Sequence, residues 1–144
     1  MKTRQRGKGE KGIAIIMTGL VLLPLMIFAA FGVDLASWYS RISYLQKSAD
    51  AAALAGTVWM PNEGKAATEA NASLRENGIV DGVDGIEVEV RKGGTATSLR
   101  VTITDTDADR VFSGVFRGAQ ELSRSAEAEY NLPIPLGSPL NYFG

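Results

Sequence analysis

The twenty-one residues from Ile13 to Val33 carry no charge, and Lys2, Arg4, Arg6, Lys8 and Lys11 stand before them. A helix rises about 1.5 Å per residue, so this run reaches about 30 Å, the thickness of a bilayer's hydrocarbon core. Twelve of its residues are Leu, Ile, Val or Phe. Each favours insertion by about 0.3–0.6 kcal/mol, and no central charge brings the opposing penalty of about 2.5–3.5 kcal/mol. The segment is therefore expected to span a lipid bilayer. The basic excess, opposed only by Glu10, keeps the N-terminal tail in the cytoplasm and puts everything after Asp34 outside. Ala30-Phe31-Gly32 loosely fits a signal-peptidase site, but the run exceeds the roughly 7–15 apolar residues of a signal core, which favours retention. Pro24 removes one backbone donor mid-span, which a membrane helix tolerates as a local kink.

The 144 residues leave room for this anchor and one small domain. From Asp34 onward ten basic residues face fifteen acidic ones, a net charge of -5. An acidic exported part disfavours nucleic acid as a partner. The chain has neither cysteine nor histidine, which excludes disulfides, thiolate chemistry, Cys- or His-ligated metals and Ser-His-Asp triads.

After Val33 the apolar signal narrows to Leu35, Trp38, Ile42, Leu45, Ala49, Ala52, Gly56 and Trp59. Steps of three and four line one helical face, so one helix is expected from about Ile13 to about Trp59, ended by Pro61 and Asn62. The small residues Ala49, Ala52, Ala53 and Gly56 allow close backbone approach, either within the chain's own core or against another chain. Trp38 and Tyr39 suit the headgroup region, and Asp34 sits at the membrane exit.

Beyond Pro61, residues 65–77 read as a second helix with Gly78 as its stop. The period then falls to two. Ile86, Val88 and Val90 alternate with Glu87, Glu89 and Arg91, and Leu99, Val101 and Ile103 alternate with Arg100 and Thr102, which predicts a β-hairpin whose connection exceeds two residues. Residues 106–117 carry helical spacing, and alternation returns over residues 120–130. The expected fold class is α+β: a transmembrane helix continuing into a long extracytoplasmic helix, then a small domain with an antiparallel hairpin and a third strand. Helices cover one sheet face and Glu87, Glu89, Glu121, Glu127 and Glu129 keep the other wet. The expected divisions are 1–12 (basic tail), 13–33 (span), 34–60 (helical stalk), 61–130 (outer domain) and 131–144, a Pro-rich strip.

Candidate chemistry is sparse. Asp105, Asp107 and Asp109 open like a calcium loop, but Arg110 stands where the turn needs Gly and Phe116 where a bidentate Glu belongs. Helix capping explains them more simply. Asp81 and Asp84 read as turn residues. No cofactor, metal or catalytic residue is expected, and the chain reads as non-enzymatic.

The basic tail, Gly12-Ile13-Ala14, Val33-Asp34 and the string Tyr44-Leu45-Gln46-Lys47-Ser48-Ala49-Asp50-Ala51-Ala52-Ala53-Leu54-Ala55-Gly56 together resemble TadE/TadG-like proteins of Flp (tight-adherence) pilus assembly. The resemblance covers roughly residues 10–60. It implies a bacterial, single-pass protein of the cytoplasmic membrane, pilin-like or accessory, whose partners are other pilus-assembly or envelope proteins besides the lipid bilayer. It adds Gln46 and Asp50 to the seam of Leu35, Trp38, Ile42, Leu45, Ala49, Ala52, Ala53 and Gly56 as interaction residues, and that seam could also join copies of the chain. A prepilin-type cut after Gly12 would put Met17 where pilins carry Glu, which favours the TadG-like side. The alternative function is a stand-alone envelope binding module recognising a surface protein or polymer.

Overall fold

The computed structural model describes residues 8–107 and 121–131, with side chains from residue 12 onward. Residues 108–117 of the helix expected over 106–117 and most of the Pro-rich strip lie outside the described residues. Five elements follow in order: α1 (Lys8–Thr57), α2 (Glu63–Glu76), β1 (Ile86–Lys92), β2 (Ser98–Asp105) and β3 (Leu122–Glu129). The fold is α+β, with the long apolar helix, a second helix and one antiparallel sheet ordered β1-β2-β3.

The described residues fall into two units. The first is α1 up to Arg41, and the second begins at Ile42. In the first, mean hydropathy reaches 2.6 over an 18-residue window of which none is buried. Residues 12–40 are exposed apart from half-buried Ala30 and Asp34. So much exposed apolar surface does not suit water, and lipid accounts for it.

The second unit has a core. Leu45, Ala49, Ala52 and Ala53 of α1 are buried together with Ala66, Ala70 and Leu74 of α2 and with Leu99, Val101 and Ile103 of β2. The segment expected as a helical stalk over 34–60 is thus, from Leu45 on, part of the core of the compact unit. Of the two destinations open to its small residues, the structure shows the chain's own sheet and second helix.

Local rules set the boundaries. Asn62 caps α2, its side-chain oxygen accepting the Lys65 N–H at 3.1 Å. At the other end Gly78, with φ +76°, allows two closing bonds: Gly78 N–H to Arg75 C=O at 3.0 Å and Ile79 N–H to Leu74 C=O at 2.8 Å. This is a Schellman stop, with buried Leu74 and Ile79 making its apolar contact. β1 pairs with β2 from Ile86↔Asp105 to Lys92↔Leu99, and β2 with β3 from Ser98↔Glu129 to Asp105↔Leu122. Since side chains alternate, Leu99, Val101 and Ile103 face the core, and Glu87, Glu89, Glu127 and Glu129 face outward and are exposed. The β1–β2 connection is the five-residue segment 93–97.

Candidate interaction surfaces

The ten residues expected to interact separate into three sets. Leu45, Ala49, Ala52, Ala53 and Gly56 are buried in the compact unit. At Gly56 the packing leaves no room: an added Cβ would lie 2.6 Å from the Ala66 carbonyl oxygen and 3.1 Å from the Ala70 Cβ, and would overlap the Leu99 side chain. The small residues therefore serve helix–helix and helix–sheet approach inside the chain. Ile42 is half-buried beside this core. Leu35 and Trp38 remain open, at 53% and 41% exposure, and Tyr39 next to them is exposed as well.

Gln46 and Asp50 form the third set. The Gln46 amide donates to the Asp50 carboxylate at 3.0 Å and to the Ser125 carbonyl at 3.3 Å. Ser125 lies in β3, a strand at the margin of the sheet, so this pair ties α1 to a sheet edge. Within the 44–56 string, Leu45, Ala49, Ala52, Ala53 and Gly56 make core and Gln46 with Asp50 makes an edge clasp.

Two anchoring groups gave no signal in the sequence. The buried Thr57 hydroxyl lies 3.0 Å from both the Thr97 and Ala128 carbonyl oxygens, joining the end of α1 to the hairpin loop and to β3. Tyr44 donates its hydroxyl to the Asn77 carbonyl, next to the turn that ends α2. No spacing rule reveals either, because each partner is a backbone oxygen 33 to 71 residues away.

Charge on the open sheet face concentrates at Glu127. One carboxylate oxygen accepts the Gly94 N–H at 2.6 Å, and the other accepts Arg100 Nε and Nη2 at 3.1 and 2.6 Å. The Gly94 amide, then Arg100, then Ser98 hold the Glu127 carboxyl down at about 2. Glu129 accepts the Thr95 hydroxyl at 2.9 Å. These glutamates brace the hairpin loop, and their charge is taken up by structure.

Asp105 is buried, and its carboxylate accepts the Asp107 N–H at 3.1 Å, a turn contact. Asp109 of the same acidic run lies outside the described residues. Among the described residues no three carboxylates gather as a metal site. Leu74, Ile79, Val80 and Val88 line a cleft of about 420 Å³ between α2 and β1, with Arg75 and Asp81 at its polar side. Asp81 accepts the Val88 N–H at 2.8 Å.

Comparison with known proteins adds one match. Residues 12–70 fit the family model described as putative Flp pilus-assembly TadE/G-like. The resemblance carried by the basic tail, the span and the 44–56 string holds over that stretch, which runs from the start of the apolar segment into α2. The sheet lies beyond it. No curated protein and no solved structure matches the chain.

Proposed function

We propose that this chain, TadE/G-like over residues 12–70, is a non-enzymatic, membrane-anchored component of Flp pilus assembly. The family match supports the role in pilus assembly, and the exposed apolar helix supports the anchor. The rest is our reading. The N-terminal tail faces the cytoplasm and the compact unit lies outside, as the basic residues before the span require. Contacts with other pilus-assembly or envelope proteins run through the part of the seam that the fold leaves open, Leu35 and Trp38, together with the outer surface of the compact unit.

One observation carries the proposal. Within the matched stretch the first part of α1 is apolar and, among the described residues, exposed, and the continuation of the same helix buries its small residues in the core. Anchoring and display are then separate tasks of one helix.

Site-specific photo-crosslinking in cells tests this. A photoreactive residue at Leu35 is expected to capture products of the same pilus-assembly system, identified by mass spectrometry, whereas one at the buried Leu45 is expected to yield only links within the chain. Efficient capture of those partners from Leu45 but not from Leu35 would reverse the assignment. No capture from Leu35, Trp38 or the outer sheet face, with the protein intact in the membrane, would remove the assembly role.

A further inference from the structure

We propose that two copies of this chain pair antiparallel through the free edge of β1, with Val90 of one copy opposite Val90 of the other, joining their sheets into one continuous sheet. In β1 the odd-numbered residues bond to β2, as Gly85 C=O to Thr106 N–H and Gly93 N–H to Ser98 C=O show at the two ends. Antiparallel alternation turns the N–H and C=O groups of Ile86, Val88, Val90 and Lys92 the other way.

The first part of that edge is occupied. Ile86 donates to Val83 C=O at 2.9 Å and accepts from Gly82 N–H at 2.8 Å, and Asp81 takes the Val88 N–H. Among the described residues nothing bonds to Val88 C=O or to either backbone group of Val90 and Lys92. An open strand edge is a template for another strand.

The groups left open match one another. With Val90 on the two-fold axis, each Val90 N–H meets the other copy's Val90 C=O, and each Lys92 N–H meets the other's Val88 C=O. The Lys92 C=O of each copy falls opposite the other's Val88 N–H, so Asp81 yields that N–H when the strands pair. The same register sets Glu89 of each copy opposite Arg91 of the other, where cross-strand Cβ atoms lie about 4.5–5.5 Å apart. Both side chains are more than half exposed and already ion-paired within one strand, so they share a face and can reach across. Shifting the axis to Glu89 sets Glu89 against Glu89. Shifting it to Arg91 sets Arg91 against Arg91. Charge complementarity therefore selects the Val90 register.

Sedimentation of the full-length protein in detergent micelles tests this, with Glu89→Arg and Arg91→Glu each expected to weaken self-association by roughly tenfold or more. Mixing the two variants is expected to restore it, because positions 89 and 91 are then both basic in one chain and both acidic in the chain it faces. The intrachain Glu89–Arg91 pair is lost in both variants and stays lost in the mixture, so recovery reports contact between copies. Val90→Pro removes the central donor, leaves the β1–β2 bonds intact and is expected to abolish pairing. A monomeric wild type, single variants that associate as wild type does, or a mixture that fails to recover would each overturn the proposal.

Discussion

At the residue scale, the tightest constraint is Gly56. An alanine there gains helix propensity, yet its Cβ would press on the Ala66 carbonyl and on Leu99, and overpacking of this kind costs about 1–3 kcal/mol. Gly56→Ala is therefore expected to lower the midpoint of denaturant unfolding measured in micelles. Thr57→Val removes a buried hydroxyl that serves the Thr97 and Ala128 carbonyls and is expected to cost about 1 kcal/mol in the same assay. Glu127 supplies the pH dependence. Its carboxyl sits at about 2 in the fold against an ordinary 4.5, so its contribution is present in full above pH 4.5 and is lost as the pH falls toward 2. Glu127→Gln is expected to melt lower than wild type at neutral pH and to show a smaller further drop between pH 4.5 and 2. An unchanged acid slope would contradict the assignment. Gly56 was legible as a close-approach residue with the chain's own core as one destination, whereas the roles of Thr57 and Glu127 were not, because each depends on a carbonyl or amide brought in from another element.

At the element scale, periodicity identified most of what the structure contains. Alternation over residues 86–91 and 99–103 marks β1 and β2 because one sheet face is buried and the other wet. Gly78 ends α2 as its sequence position implies, whereas Asn62, read with Pro61 as ending the first helix, caps the second, whose first turn opens at Glu63. Gly78→Ala is expected to destabilise by about 1–2 kcal/mol in a thermal melt, since a Cβ at φ +76° is strained. The stripe of α1 was equally plain, but its destination was not. A period of 3.5 residues fits a helix buried by its own domain and one buried by a partner. The compact unit answered this for the stripe from Leu45 to Gly56 by covering it, while Leu35 and Trp38, in the first unit, are exposed.

At the scale of the whole molecule, one helix serves two solvents. Its first half is apolar on every side, as a helix in lipid must be, and its second half is apolar on one stripe, as a helix beside a sheet must be. The orientation proposed for the anchor has a direct check. Protease added outside intact spheroplasts is expected to digest the compact unit and leave a tag fused to the N-terminus protected. Protection of the compact unit instead would invert the topology.

The sequence alone determined the span, the two helices, the three strands and the absence of thiol and imidazole chemistry, because hydropathy, local propensity and composition act residue by residue. It also carried the string at 44–56 on which the family resemblance rests. Tertiary structure decided what those elements touch. It sent Ala49, Ala52, Ala53 and Gly56 into the core, turned Gln46 and Asp50 into a clasp on β3, and left part of the β1 edge unpaired among the described residues. These outcomes depend on contacts between residues far apart in the chain, which no local pattern encodes.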